Sequence, residues 1–267
     1  MRYIVAKVLG FYIDFVPTRL CTPKLCLLLA HIYVDMGRTA DSFTMFRLAE
    51  KRARALGEHL VLADVLRKWG YLLLHTEKGS LERARILIDE SVIVITRILR
   101  EDNSREVLIV AANCYASLGN YFHTEGNLSE AKRAYRRAME IAQDAQFKER
   151  EVTILGDLAR IALDEKSWRV ARELLREACD RAEQYYQYAL PAQLVRLGRL
   201  YNTPENPEYD PNVANEYFQK SLRVARQGGW KREEADALQE LGMQEKADEI
   251  YRSIGYDRHL TTAGTPS

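Results

Sequence analysis

The chain has 267 residues, 39 basic against 38 acidic for a net charge of +1, and 47% hydrophobic residues. That is a soluble globular composition, and so small a charge excludes the global attraction to nucleic acid that a strongly basic chain carries. The longest apolar run, Leu25 to Val34, is ten residues long and contains His31, about half of what a bilayer span requires, so no transmembrane helix is expected.

The first segment, residues 1–16 (MRYIVAKVLGFYIDFV), is apolar, but Lys7 and Asp14 interrupt it and no small-residue cleavage site follows. It reads as structure rather than as a signal peptide: a capping helix, or the surviving helix of a partial repeat, within residues 1–21. Thr22-Pro23 then places an N-cap oxygen before a proline at a first helical position, which opens a helix.

From there one grammar recurs. Leu118-Gly119 with Phe122 precedes Ala131, Tyr135 and Ala138, and the same pattern stands at Leu29-Ala30-Tyr33 with Ser42, Phe46 and Ala49. Leu158-Ala159-Ala162 with Ala171, Leu175 and Ala178 repeats it, as does Leu197-Gly198-Tyr201 with Ala214, Phe218 and Ser221. Weaker copies are Tyr71-Leu72 with Ala84, Ile88 and Ser91, and Ala235-Leu238 with Ala247, Tyr251 and Ile254. Each copy offers two segments with apolar residues at i, i+3, i+4 and i+7, the stripe of an amphipathic helix. No copy could bury that stripe alone, so the copies must stack.

The turns agree with this division. Gly37, Gly79, Gly126 and Gly242 each lie five residues before the small residue that opens a second helix, and Asn127-Leu128-Ser129-Glu130 has capping-box spacing. The same Asn-Leu-Ser matches a glycosylation sequon but is better explained as that cap. Asp210-Pro211 ends an insertion, Asn202 to Asn212, that holds three of the seven prolines. The end of the chain, LTTAGTPS, has no apolar period and reads as a disordered tail over residues 256–267.

The six copies, from Thr22 to Gly255, resemble the tetratricopeptide repeat, a helix-turn-helix unit. The resemblance implies an all-α fold over residues 22–255, a right-handed superhelical solenoid of about six repeats. The small residues that open the second helices, at 42, 84, 131, 171, 214 and 247, are mostly spaced more widely than the 34 residues of the standard unit. In this the chain resembles the longer-unit arrays of bacterial signal-responsive regulators.

Chemical motifs are sparse. The sequence has no Gly-rich phosphate loop, no HExxH and no GxSxG, and its five histidines fall at no paired ligand spacing. Neither an enzyme, nor a metal site, nor a cofactor is expected. The four cysteines form no CxxC pair and sit within helical patterns, where a thiol acts as a small core hydrophobe; a reducing cytoplasm is the simplest setting.

Basic residues crowd the second helices (Lys132, Arg133, Arg136, Arg137 and Lys220, Arg223, Arg226 among them), but Glu130, Glu140, Glu173, Glu177 and Glu216 are interleaved at helical spacing. This is the pattern of an ion-paired, solvated face, and it argues against nucleic-acid binding by this chain. The first helices are more informative. With Leu118 and Phe122 turned inward, the offset face carries Asn113, Asn120 and His123, and the matching faces of the following units carry Arg160, Arg196 and Arg199. The resemblance implies that such a face lines a groove for an extended peptide. Asn amides suit a peptide backbone because each offers a donor and an acceptor, and Arg can fork onto a carboxylate. Arg160 also lies between Asp157 and Asp164, so pairing within its own helix is the plainer reading of that residue. The residue set of the chaperone-binding carboxylate clamp is not found at matching positions, which argues against a chaperone tail. In the register set by Ala84, Trp69 and Leu73 would be apolar groove residues that form a pocket for an apolar side chain; a one-residue shift puts Trp69 at the motif's own tryptophan position, and core packing is then the better reading.

The expected function is a non-catalytic scaffold that holds a polar or acidic peptide or protein segment, with a second copy of the chain as a further candidate partner. The alternative is the ligand- or peptide-sensing module of a regulator.

Overall fold

A computed structural model of the chain describes residues 21–35, 38–76 and 80–254. The expectations for residues 1–16 and for the tail, and those for Gly37 and Gly79, lie outside the described residues. Among the described residues there are twelve α-helices, a single 3-10 turn (Gln187–Ala189) and no strand. The chain divides into two compact units, whose described parts lie within residues 21–126 and 127–254.

The first unit holds α1 (Pro23–Asp35), α2 (Thr39–Leu56), α3 (His59–Thr76), α4 (Leu81–Ile98) and α5 (Arg105–Thr124). Helix α1 packs on α2 and α3 on α4, α2 joins the two pairs through α3, and α5 lies against both α3 and α4. The second unit holds α6 (Leu128–Asp144), α7 (Lys148–Asp164), α8 (Trp168–Tyr185), α9 (Leu190–Tyr201), α10 (Pro211–Gly228), α11 (Lys231–Glu240) and α12 (Gln244–Ser253). Its pairs are α7 with α8, α9 with α10 and α11 with α12, and first helices also touch first helices, α7 against α9 and α9 against α11.

Why these residues make these pairs is visible at the small positions. Ser42, Ala84, Ala131, Ala171, Ala214 and Ala247 are all buried, as are the larger residues four further on, Phe46, Ile88, Tyr135, Leu175, Phe218 and Tyr251. Gly198 shows the reason for smallness. A Cβ there would lie 2.6 Å from Phe218 Cδ1 and 2.9 Å from its Cζ, so the ring of α10 fills the space beside the glycine of α9. The capping expectations hold: Thr22 Oγ1 accepts from the Leu25 amide at 3.2 Å, Asn127 Oδ1 from Glu130, and Asp210 Oδ1 from Asn212 and Val213. Gly126 and Gly242 take the positive φ that their turns demand.

The second copy sits in another register from the one its sequence suggests. Gly70, not Leu72, is the small residue of α3: a Cβ on it would come within 2.7 Å of Ile88 Cγ1 and 3.1 Å of the Ala84 carbonyl oxygen. Trp69 therefore takes the leucine place, Leu73 the aromatic one, and both are buried, while Tyr71 is exposed. The physical reason is that only Gly70 permits the close approach to α4, and the connection to α4 lengthens by two residues to allow it. Trp69 and Leu73 as core residues stand.

All four cysteines are free and buried. Burial pushes the Cys114 and Cys179 thiols up to about 12, so neither is a nucleophile at neutral pH. The Asn202 to Asn212 insertion closes on itself: Asn206 is buried, its Nδ2 donates to the Leu200 carbonyl at 2.9 Å, and its Oδ1 accepts from the Glu208 amide at 3.1 Å.

Candidate functional site

The second helices use their charges on each other. Arg54 of α2 reaches Glu90 of α4 at 2.7 Å, Lys220 of α10 reaches Glu183 of α8 at 2.7 Å, and Arg172 of α8 pairs with Glu208 of the insertion. Arg133, Arg137 and Arg169 pair within their own helices. These cations are neutralised locally.

The first-helix faces differ. In the first unit Asp64 of α3 is held by two cations one turn on, Arg67 Nε at 3.0 Å and Lys68 Nζ at 2.9 Å. Burial alone would raise the Asp64 carboxyl, but Arg67 and Lys68 outweigh it and hold the group below the usual carboxylate range. His31 of α1 feels the same cluster. Its withdrawal from water, with Lys68 and Arg67 against Asp64, pushes the imidazole down to about 4, and its Nε2 is buried without a hydrogen-bond partner. A cavity of about 670 Å³ runs over the same side of α1, α3 and α5, lined by Lys24, Leu27, His59, Asp64, Glu106 and Val110 among others.

Three of the expected residues lie on α5 in this unit. Asn113 is half-buried with its Oδ1 buried and without a hydrogen-bond partner. Asn120 is half-buried and donates Nδ2 to the Ala116 carbonyl of its own helix at 3.0 Å. His123 is half-buried in the last turn.

The other three lie in the second unit, where two of them meet. Arg160 of α7 and Arg196 of α9 approach the same carboxylate, Asp157 Oδ1, each at 3.7 Å. Arg160 also donates to the hydroxyl of Tyr135 at 3.3 Å. Arg196 Nη1 donates to Gln193 Oε1 at 3.2 Å. Arg199, one turn along α9, is fixed by Glu240 of α11, Nη2 at 2.6 Å and Nε at 3.0 Å. The pairing of Arg160 with Asp157 holds as expected, but that carboxylate is shared across helices.

Sequence reasoning missed the clasp that makes this possible. Gly156 sits in the interior of α7, and a Cβ on it would collide with Arg196 Nη1 and Gln193 Oε1. The absent side chain is the space that the guanidinium occupies. It missed Asp64, Arg67, Lys68 and His31 as well. A signal for His31 existed: the residue after the small position of the first helices α1, α3, α5, α7 and α9 is His31, Tyr71, Asn120, Arg160 and Arg199 in turn.

Among the described residues no group of His, Cys, Asp and Glu could hold a metal ion, and no helix is long and apolar enough to cross a membrane. The arrangement offers amide, imidazole and guanidinium groups on first-helix faces, suited to hydrogen-bonding and charge-pairing a polar chain.

A family model described as tetratricopeptide repeat matches residues 112–144. No curated protein matches the chain by sequence. Among solved structures, the chain is similar to the signal transduction ATPase with numerous domains from Pyrococcus horikoshii, which carries a tetratricopeptide repeat sensor: 18% identity, TM-score 0.62, 91% of this chain and 37% of that one. The chain thus spans little more than a third of that protein. It is similar to the apo form of RapI at 14% identity and TM-score 0.60, over 89% of this chain and 98% of that one. It is also similar to the Rap conjugation gene regulator of the plasmid pLS20 in complex with a Phr peptide, at 14% identity and TM-score 0.60, over 88% and 63% of the two chains. At these identities the likeness is one of fold.

Proposed function

For a chain that is an array of tetratricopeptide-type helix pairs, we propose that the function is to hold a peptide or protein segment on its first-helix faces, as a non-catalytic scaffold of the cytoplasm. Asn113, Asn120 and His123 supply the contacts of the first unit, and Arg160, Arg196 and Arg199 those of the second. The observation that carries the reading is the contrast between the two sides of the helix pairs. Second-helix charges are spent on one another, whereas Asn113, on the first-helix face of α5, keeps a buried Oδ1 without a hydrogen-bond partner. Leaving such an acceptor buried and unmade costs on the order of 1–3 kcal/mol, a cost that an incoming backbone amide removes. The fold neighbour solved with a Phr peptide supports the same use of the fold.

A second reading is favoured by the neighbour with a repeat sensor, of which this chain matches only 37%: the chain serves as the sensing module of a regulator, and ligand binding shifts its helix pairs between two packings. Both readings place the ligand on the first helices.

The test is an affinity capture from native lysate with the wild type and with the Asn120→Ala/His123→Ala/Arg160→Ala variant, bound material being identified by mass spectrometry. The reading expects a partner held by the wild type and lost by a variant of equal helicity. The same partner held by both would overturn it.

A further inference from the structure

We propose that the cavity of the first unit seats one basic side chain, a Lys or Arg of the bound segment, whose charged head is met by Glu58 and Glu106 and whose stem lies along Leu27, Val61 and Val110. The inference rests on the peptide-holding reading and adds the chemical class of the residue that the first unit takes.

The cavity brings three first helices to one space. Its volume of about 670 Å³ falls within the roughly 300–1,000 Å³ typical of ligand sites. Leu27 of α1, Val61 of α3 and Val110 of α5 give it an apolar wall. Glu58, the residue before α3, and Glu106, in the first turn of α5, each add a carboxylate. Neither carboxylate has an ion pair or a hydrogen bond among the described residues.

An acid at the start of a helix answers to the helix dipole, but that accounts for one helix at a time and not for two acids of different helices lining one cavity. The second unit shows what happens when such acids face a neighbouring helix and no ligand is needed. Glu151 of α7 is held by Lys148 at 2.8 Å and by Arg181 of α8, and Glu234 of α11 by Lys231 at 2.8 Å and by Arg226 of α10 at 2.9 Å. Glu58 and Glu106 lack any such answer within the fold.

The unspent groups of the cavity call for a cation. Asp64 is occupied by Arg67 and Lys68, so the carboxylates left over outnumber the one free lining ammonium, Lys24, by two to one. Asp64 follows Glu58 by six residues, about 9 Å along a helix, which directs a basic head to the helix starts and away from Arg67 and Lys68. The same face of α5 holds one more unmet acceptor: Asn113, three residues beyond Val110, keeps its Oδ1 buried without a partner. Ammonium and guanidinium groups are donors only, and their bonds to carboxylates are about twice as strong as neutral ones. The apolar wall suits them too, because Lys and Arg lay their methylene stems on apolar surface and keep the head among polar groups. An acidic side chain would be repelled by both glutamates, and a neutral one would leave their charge unmatched.

The test uses the full chain and three pools of ten-residue peptides, acetylated and amidated so that no terminal charge takes part. The pools share one pattern of neutral residues and differ at a single position, which is Lys or Arg in the first, Gln or Met in the second and Glu in the third. Affinity is read by fluorescence polarisation and location from the methyl resonances of Val61 and Val110. The basic pool is expected to bind about tenfold tighter than the neutral one and to move both valine resonances. Glu58→Gln/Glu106→Gln, which keeps the shape and removes the charge, is expected to cancel that preference, to leave the affinity of the neutral pool unchanged and to retain wild-type helicity. Equal binding of the basic and neutral pools, or tightest binding of the acidic pool, would overturn the cation assignment and leave the peptide reading in place. A basic preference that survives the double variant, or leaves the valine methyls unmoved, would overturn its placement in this cavity. Binding of no pool would overturn both this inference and the peptide reading.

Discussion

Two glycines on first helices of the second unit should answer to alanine in opposite ways. Each substitution gains about 1 kcal/mol of helix propensity. At Gly198 the new methyl group meets the ring of Phe218, which is 3% exposed and packed in the core of the second unit. The ring cannot swing away without pushing α10 outward, and overpacking of this kind costs about 1–3 kcal/mol, occasionally more. With the Cδ1 contact at 2.6 Å, the upper part of that range applies, and Gly198→Ala should lose about 1–2 kcal/mol net. At Gly156 the methyl group meets the far ends of two unbranched polar side chains, Arg196 and the buried Gln193, which can shift without displacing a helix. Gly156→Ala should therefore be neutral or gain up to about 1 kcal/mol. Urea titrations followed by far-UV circular dichroism would place the Gly198→Ala midpoint below wild type and the Gly156→Ala midpoint at or above it. A Gly198→Ala protein as stable as wild type would refute the argument that close helix approach dictates the small residue.

Acid should weaken the first unit through His31. Its native pKa, pushed down to about 4, lies below the ordinary value of 6.5, so its contribution is complete above pH 6.5 and fades as pH falls toward 4, by a few kcal/mol in all. His31→Leu should flatten that part of the stability profile in denaturant titrations; an unchanged profile would contradict the assignment. Asp210→Ala should cost about 1 kcal/mol by removing the cap of α10, which accepts from Asn212 and Val213, measurable as a lower urea midpoint. Because Arg54, Lys132, Arg172 and Lys220 are paired with acids, the chain should not retard duplex DNA in a gel at physiological salt, and a shift there would reopen the basic second-helix face.

The sequence made the helix pairs legible because their packing imposes a local, repeated demand. A small residue such as Ala131 or Ala214 must face the preceding helix, and the residue four on must fill the next gap. Where the copy is weak, as at Tyr71-Leu72, the sequence pattern put a large residue at the small place, and the approach of Ile88 to Gly70 sets the true register. Arg160, Arg196 and Arg199 could be placed on one face because each keeps a fixed offset from Ala159 or Gly198. The sharing of Asp157 and the space at Gly156 were not legible. Both depend on how far α9 stands from α7, a distance set by core residues such as Leu197 and Ala159 and written in no local motif.

The central claim is that a bound segment lies on the first helices, and site-specific photo-crosslinking tests it most directly. A photoreactive residue at position 199, on α9, and one at position 223, on α10, would be irradiated in turn with the captured partner bound. The account predicts crosslinked partner from position 199 and none from position 223. Crosslinks from position 223 alone would contradict it.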